Sequence, residues 1–281
     1  MTMDIRKIDA GELKIENIAF MNMTAADAAE WRGQTMLFDG AVIGLCTKGR
    51  FDFRINYREF RLVATEMFLV LPKHLFTALD YSDDVEVKLL LLSTEYLHAM
   101  PVAFGVDTLK HAGQAPCIRP PRCKIEDCIA LCGLMERYGA DDALSRQTRN
   151  ALMLSFLLIL SSVIDCAKAD TPHRATRQEL LTRRFFDLML TRYETERNVS
   201  YYADKLCVTP KYLSAAVKNT TRRTSQEWIN EALLVDARRY LKCTDLTIAQ
   251  ISEKLHFSTA SSFVRFFRQH AGMTPLEFRR K

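Results

Sequence analysis

The chain has 281 residues, 48% of them hydrophobic, and a formal net charge of +5. This length is enough for two domains with cores of ordinary size. The longest apolar run, residues 152–164, is interrupted by three serines and is shorter than the roughly 20 residues of a membrane-spanning helix. The composition therefore excludes an integral membrane protein and leaves a soluble chain.

The charge is unevenly distributed. Residues 171–281 hold 20 Lys and Arg against 11 Asp and Glu, whereas residues 1–170 hold 19 against 23. A basic C-terminal half favours a polyanionic partner such as nucleic acid, although charge alone does not separate DNA from RNA or from an acidic membrane surface.

The eight cysteines form no Cys-x-x-Cys pair and have no His at zinc-finger spacing. Cys128 and Cys132 lie four residues apart, and the sequence predicts that they are small core residues in a reducing compartment rather than metal ligands. Residues 1–14 lack the apolar core of a signal peptide. These features predict a cytoplasmic protein without a metal site.

The N-terminal half begins with a pattern of period two. Between about residues 36 and 92, the side chains of Phe51, Phe53 and Ile55 alternate with polar ones, and residues 66–71 and 85–92 read as further strands. Gly49 and the two residues before it predict a hairpin turn. Several short antiparallel strands with half-buried faces predict a small β-barrel or sandwich.

Two amphipathic helices are predicted after the strands, at residues 124–138 and 142–166. They either cover an open face of the barrel or form a homodimer interface, and the sequence is compatible with both. A linker is predicted at residues 168–176, after a first domain of residues 1–167.

The N-terminal half lacks the residues of a catalytic site. His74 is the one His of the strand region, and a single imidazole does not hold a catalytic metal. There is also no nucleophile elbow and no phosphate-binding glycine loop. The protein is predicted not to be an enzyme and to carry no cofactor. Six aromatic residues either line an apolar pocket or, as is usual in barrels, pack as core: Phe38, Phe51, Phe53, Phe60, Phe68 and Phe76.

The C-terminal half contains one pattern twice, at an offset of 49 to 50 residues. Each copy predicts a short helix, a tight turn and a second helix. In the first copy, Thr209 caps the second helix and Pro210 occupies its first position, while Ser200 precedes the short helix. The buried stripe of the second helix contains Leu213, Ala216 and Val217. Its opposite stripe is small and basic: Lys211, Ser214, Ala215 and Lys218.

The second copy repeats this arrangement. Thr247 and Gln250 form a capping box at its start, and Ser258 is predicted to cap its second helix. The inward residues are predicted to be Phe263, Phe266 and Phe267. The outward stripe is Ser261, Val264, Arg265 and Arg268. We expect Arg265 to read guanine, because a guanidinium donates two hydrogen bonds to the edge of that base.

A connecting helix is predicted at residues 225–242, with Thr224 and Glu227 as its capping box. Its length of about 27 Å follows from a rise of 1.5 Å per residue. The two helix-turn-helix units, at about residues 198–219 and 247–271, would then contact adjacent major grooves, which recur about every 34 Å on one side of DNA.

Residues 176–281 resemble the DNA-binding domain of AraC/XylS-type bacterial transcription regulators. The resemblance lies in the paired units, the connecting helix and two motifs, residues 203–214 and the ending from Phe257 through residues 261–269 to residues 272–279. It implies a DNA-binding domain at residues 177–281. It also implies base contacts from Lys211, Ser214 and Ala215 in the first unit and from Ala260, Ser261, Val264 and Arg265 in the second.

This chain departs from the family pattern at three positions. Ala215 stands where many members have a long polar side chain, Arg222 replaces a glycine after the first recognition helix, and His256 replaces the turn glycine before Phe257. The first unit is therefore expected to read fewer bases. The residues expected to contact phosphates are Thr209, Lys218, Arg222, Arg223 and Arg268.

The N-terminal half resembles the family's cupin-like sensor domain more weakly. The complete prediction is an α+β protein of two domains, a transcription regulator, more specifically an activator, that binds a double-stranded DNA operator. Its further partners are RNA polymerase, a second copy of the chain through the helices 124–138 and 142–166, and a small-molecule effector of unknown identity. Three alternatives are a nucleic-acid-binding protein without site preference, a barrel enzyme with a DNA-binding domain, and a barrel that binds no small molecule.

Overall fold

The structure is a computed structural model that describes residues 18–38, 40–99, 115–138, 142–168 and 176–280. The N-terminal region consists of β1 (Ile18–Thr24), α1 (Ala25–Trp31), β2 (Thr35–Leu37), β3 (Gly40–Lys48), β4 (Arg50–Ile55), β5 (Arg58–Val63), β6 (Met67–Val70), β7 (Leu75–Tyr81), β8 (Glu86–Ser93), α2 (Thr94–Ala99), β9 (Cys117–Ile118), α3 (Arg122–Arg137) and α4 (Ala143–Lys168). The C-terminal region is helical: α5 (Arg177–Arg192), α6 (Val199–Lys205), α7 (Pro210–Thr221), α8 (Ser225–Cys243), α9 (Ile248–Lys254), α10 (Ala260–Ala271) and α11 (Pro275–Arg280). The predicted α+β fold with two domains is confirmed.

Two sequence predictions concern residues outside the described ranges. The lack of a signal core was inferred from residues 1–14, and most of the predicted linker, residues 169–175, is not described. Lys168 is the last residue of α4, and Thr176 is the N-cap of α5.

Antiparallel pairing divides the strands into two sheets that face each other. One has the order β1-β8-β3-β6-β9 and the other β2-β7-β4-β5. The alternation in β4 buries Phe51, Phe53 and Ile55 between the sheets to 5% exposure or less. The ring of Phe53 lies with its centroid 4.7 Å from that of Phe68 in the opposite sheet. The aromatic side chains therefore fill the space between the sheets, as core packing requires.

The predicted hairpin turn at Gly49 is wrong. Gly49 joins β3 to β4, and these strands belong to different sheets. Its φ of +68° is left-handed, and an added Cβ would overlap the side chain of Ser82 and lie 2.9 Å from Val85 Cα. Only glycine fits this corner, where the chain passes from one sheet to the other. The hairpin is instead the one between β4 and β5.

Helices α3 and α4 cover the outer face of the five-stranded sheet. Their buried side chains, among them Cys128, Cys132 and Phe156, pack on strand residues such as Ile43 and Leu90 in one apolar cluster. Burial raises the pKa of the Cys128 thiol to about 11 and that of Cys132 to about 12, so both are protonated core residues. Of the two roles predicted for these helices, covering the sheet is observed.

One helix among the described residues is long and apolar enough, by length and composition, to cross a membrane. It is the segment Ala143–Cys166 of α4. One third (33%) of its most apolar stretch is buried in the protein. This segment of 24 residues is longer than the apolar run of residues 152–164 identified in the sequence.

The seven C-terminal helices share one apolar core. The connecting helix α8 runs through it, and Ile229, Leu233, Ala237 and Leu241 are each 1% exposed or less. Both helix-turn-helix units, α6–α7 and α9–α10, contribute to this cluster. The two units are therefore parts of one packed body.

The starts of two helices differ from the sequence prediction. Ser200, predicted to precede the short helix, lies within α6, and the N-cap is Asn198, whose side chain accepts a hydrogen bond from the Ser200 amide at 2.9 Å. Thr259, not Ser258, caps α10, because its hydroxyl lies within 3.1 Å of the Ser262 amide. Both neighbours are good capping residues, so local propensity does not choose between adjacent positions.

The N-terminal sheets contact the helical region through one turn and two strand ends. Tyr57, in the turn after β4, lies with its ring centroid 4.6 Å from that of Phe186 in α5. Leu75, at the start of β7, is 1% exposed and belongs to the apolar cluster of the helical region. Leu37 of β2 packs against the same cluster. The two regions therefore share an apolar contact.

Candidate DNA-binding surface

The first unit exposes one face of α7. Thr209 accepts a hydrogen bond from the Tyr212 amide at 3.2 Å, and Pro210 occupies the first helical position, as predicted. Leu213, Ala216 and Val217 are completely buried. On the opposite face Lys211, Ala215 and Lys218 are exposed and Ser214 is half-buried.

The second unit exposes the corresponding face of α10. Phe263 and Phe267 are completely buried, while Phe266, predicted to face inward, is half-buried between Phe257 and His270. Ser261, Arg265 and Arg268 are exposed, and Ala260 and Val264 are half-buried. The structure therefore brings the predicted reading residues of this unit together on one solvated surface.

Within the described part of the chain, the outward faces of α7 and α10 are not covered by the N-terminal sheets. The most exposed residues of α7 and α10, including Lys211, Lys218, Arg265 and Arg268, are solvent-exposed with the N-terminal sheets in place. The sheets instead contact α5 and α8. The outward faces of both units are therefore free of contact with the sheets in the described residues.

The cations of the two faces are available to a ligand. Five of these side chains form no ion pair with another residue of the ranges that the structure describes: Lys211, Lys218, Arg222, Arg265 and Arg268. Arg223 differs, because its guanidinium lies 4.3 Å from the Trp228 ring centroid and 3.1 Å from a Glu231 carboxylate oxygen. Arg223 is the one predicted phosphate contact whose charge is already engaged.

The structure adds two residues that the sequence analysis did not select. Tyr212, beside Lys211 at the start of α7, is 37% exposed. Gln269 borders a shallow groove together with Ala260, Ser261, Val264, Arg265 and Arg268. Gln269 could have been selected from the sequence, because it lies four residues after Arg265 and therefore on the same face of the helix.

The turns of both units contain left-handed residues other than glycine. Cys207 in the first turn and His256 in the second each have a φ of +54°, at equivalent positions of the repeat. The C-cap positions are also equivalent, but there the units differ: Arg222 has a φ of +63° and Gly272 a φ of +76°. His256 and Arg222, which stand where the family pattern has glycine, thus both have the left-handed conformation that glycine adopts most readily.

Replacing Arg222 by glycine should stabilise the protein. The left-handed conformation costs a non-glycine residue about 1 kcal/mol, so we expect Arg222→Gly to raise the free energy of unfolding by about 0.5–1 kcal/mol. Urea denaturation measures the change. Lys218→Gly, within the right-handed helix, is the control and should lose a similar amount. A loss of stability in both variants would contradict the assignment of strain to Arg222.

Side-chain contacts fix the second unit against the first. The Arg197 guanidinium, just before α6, donates to the Leu255 carbonyl and lies 3.7 Å from the Phe257 ring centroid. Burial lowers the pKa of Arg197. Arg279 of α11 donates to the carbonyls of Leu241 and Leu246 at 3.2 and 2.6 Å. The turn of the second unit and the end of α8 are therefore tied to the rest of the domain.

Among the described residues, no group of three or more His, Cys, Asp or Glu is arranged to hold a metal ion. His74, the lone strand-region His, is half-buried after β6, and its Nδ1 lies 3.3 Å from the Pro72 carbonyl oxygen. Burial lowers the pKa of this imidazole, so it is neutral.

Comparison with known proteins identifies the helical region. The family described as Helix-turn-helix domain matches residues 202–281. The transcriptional activator NphR of Rhodococcus sp is 40% identical over 63 residues, 22% of this chain and 19% of NphR. The transcriptional activator RhaS of Escherichia coli is 24% identical over 144 residues, 51% of this chain and 50% of RhaS. The chain thus spans no more than half the length of these relatives, both of which are named as transcriptional activators.

Solved structures of similar fold include ToxT from Vibrio cholerae and the C-terminal domain of AraT from Geobacillus stearothermophilus. ToxT is 12% identical, with 93% of this chain and 96% of ToxT covered at a TM-score of 0.45. The AraT domain is 24% identical, with 37% and 88% covered at a TM-score of 0.35.

Proposed function

We propose, from the premise that the C-terminal region is a helix-turn-helix domain of the AraC/XylS type, that the chain is a transcription regulator that binds a specific double-stranded DNA operator. The observation that carries this proposal is the pair of solvated helix faces on one rigid body. On each helix, a buried apolar stripe lies opposite an exposed face of small side chains and cations that form no ion pair. A helix with such a face fits into the major groove of DNA.

The two units are proposed to contact adjacent major grooves. Helix α8 has 19 residues, which corresponds to about 28 Å. Successive major grooves on one side of DNA are about 34 Å apart. Because both units share the core built around α8, we expect their spacing to be kept on binding, and a fixed spacing favours one helical turn between the two contacted sites.

We propose that the regulator is an activator that contacts RNA polymerase in the cytoplasm. Support comes from the two relatives described above, both of which are named as transcriptional activators. A direct contact with the polymerase is one way in which a regulator bound at an operator raises transcription.

The N-terminal region is proposed to control the DNA-binding region through their mutual contact. The cavity between the sheets measures about 10 Å³, which is room for no more than one water molecule. A small-molecule effector would therefore have to displace the aromatic rings that line it. Tyr57 and Leu75 lie where such a displacement would reach α5 and α8.

A second copy of the chain is proposed to pack on α4. Leu144, Ala151 and Leu158 recur every seven residues on its exposed face, and the two leucines are 74% and 55% exposed. A seven-residue repeat of apolar side chains is typical of a helix-helix seam.

Placing a charge in this seam should dissociate the dimer. We expect Leu158→Glu to shift the chain to a monomer in sedimentation experiments, because a buried, unpaired carboxylate opposes association. Leu180→Glu is the matched control, since Leu180 is 44% exposed on α5, away from the seam. A wild-type chain that is monomeric at micromolar concentration would refute the assignment.

Selection from a pool of random duplexes with the full chain tests the proposed function. A regulator of this type enriches a motif that spans about two helical turns. A chain that binds every duplex equally, or binds RNA better than DNA, would instead be a nucleic-acid-binding protein without site preference.

A further inference from the structure

We propose that the two units have unequal roles on the operator, the second unit specifying bases and the first holding the phosphate backbone. The operator would then contain one sharply defined half-site with guanine beside thymine, and one permissive half-site about a turn away. This inference rests on the proposed function, because it describes how the same surface binds DNA.

The internal repeat provides the comparison. Helices α7 and α10 are both 12 residues long and begin 50 residues apart, so each position of one has an equivalent in the other. Arg265, in the middle of the exposed face of α10, corresponds to Ala215 in α7. The first unit therefore lacks the side chain that forms two hydrogen bonds with guanine.

The neighbours of the central position also differ. Val264 lies beside Arg265 and is half-buried, whereas its equivalent in α7 is Ser214. An aliphatic side chain contacts the thymine methyl group, and a serine hydroxyl bonds to several bases. The second unit is thus suited to guanine next to thymine. The small side chains in the middle of α7 would instead accept several base pairs.

The cations of the first unit lie at the ends of its helix. Lys211 and Lys218 are seven residues apart, about 10 Å along the helix axis, which is close to the 12 Å width of the major groove. Both side chains are exposed. Their positions suit contacts with phosphates on the two sides of the groove rather than with base edges.

Arg222 adds a third cation to Lys211 and Lys218, in a left-handed backbone conformation that is unfavourable for arginine. It is exposed at the left-handed C-cap of α7, where the second unit has Gly272. A Cβ at Gly272 would meet no atom within 4 Å, so the space at the cap does not dictate glycine there; the backbone conformation favours it. A strained residue that retains an exposed cation is a candidate functional residue, and we assign Arg222 to a phosphate contact.

Arg222→Gly separates a role in DNA binding from a role in folding. The variant should be at least as stable as the wild type, yet bind the selected duplex and an unrelated duplex more weakly by the same factor. Its salt dependence, plotted as log affinity against log salt concentration, should have a slope smaller by about 1. An unchanged affinity and an unchanged slope would refute the phosphate assignment.

The division of roles is tested on the duplex obtained from the random pool, with every base pair substituted singly. We expect losses of about 10-fold or more in one half-site, at a guanine and its neighbouring thymine, and losses below about 3-fold in the other. Ala215→Arg should sharpen the permissive half-site. Two equally sharp half-sites, or a sharp half-site that responds to Ala215→Arg and not to Arg265→Ala, would overturn the inference and leave the proposed function intact. A pool without any enriched motif would overturn the proposed function itself.

Discussion

Asp236→Ala is expected to destabilise the C-terminal domain by about 3–5 kcal/mol, the largest effect of any substitution considered for its stability. Asp236 lies in the middle of α8 and is completely buried. Its carboxylate accepts a hydrogen bond from the Tyr193 hydroxyl at 3.1 Å and from the Arg239 guanidinium Nε at 2.8 Å. Removing it leaves a half-buried cation and a buried hydroxyl without this acceptor.

Burial and the nearby charge of Asp236 raise the pKa of Tyr193, so its hydroxyl remains a donor at any pH at which the protein is studied. Tyr193→Phe removes one of the two partners and should cost about 1 kcal/mol. The larger loss from Asp236→Ala thus reports the loss of the carboxylate beside the Arg239 guanidinium, and the two variants separate this contribution from that of the Tyr193 hydroxyl.

Urea denaturation followed by circular dichroism measures both changes. Asp245→Ala is the matched control, since Asp245 is exposed just beyond α8, and it should alter the free energy of unfolding by less than about 0.5 kcal/mol. Because native domains are stable by about 5–15 kcal/mol, Asp236→Ala should also reduce the fraction of chain able to bind DNA. Equal midpoints for the Asp236 and Asp245 variants would show that the cluster is not needed for stability.

The caps and stripes of the helical region could be predicted because they are local. The Thr224–Glu227 and Thr247–Gln250 pairs each satisfy backbone amides within one turn, and both capping boxes are present. The 3.6-residue period likewise predicted that Leu213, Phe263 and Phe267 are buried. These features depend only on residues three or four positions apart.

Features that depend on distant residues were not predicted. The path of the chain at Gly49 depends on the sheet to which β4 belongs. That sheet is determined by the pairing of β4 with β7, about 25 residues later in the chain. The Arg197 contact with Leu255 joins residues 58 positions apart. Nothing near Arg197 in the sequence distinguishes it from the other arginines of this basic region.

The candidate DNA-binding surface could be predicted in part. Its residues were selected by helical spacing and by resemblance, and the structure places them on exposed faces. Tyr212 was not among the selected residues, and its ring is 37% exposed while the neighbouring Leu213 is completely buried. The base and phosphate contacts themselves remain predictions, since they depend on a partner.

Arg265→Ala is expected to abolish discrimination at one base pair of the operator. A bidentate contact between a guanidinium and guanine contributes about 1–3 kcal/mol to discrimination against other bases. Arg265 is exposed and forms no ion pair with any other described residue, so its loss should not affect the fold. The affinity for the best duplex should fall roughly 5- to 150-fold, and the preference for guanine at that position should disappear.

Lys218→Ala is the contrasting control, because its expected contact is with phosphate. It should weaken binding to all duplexes by a similar factor and reduce the salt slope by about 1, without changing the preferred sequence. Fluorescence anisotropy on the selected duplex, on its guanine-substituted derivatives and on an unrelated duplex measures both variants. If Arg265→Ala instead behaved like Lys218→Ala, with every duplex weakened alike, Arg265 would be a backbone contact and sequence reading would have to come from Ser261 and Val264.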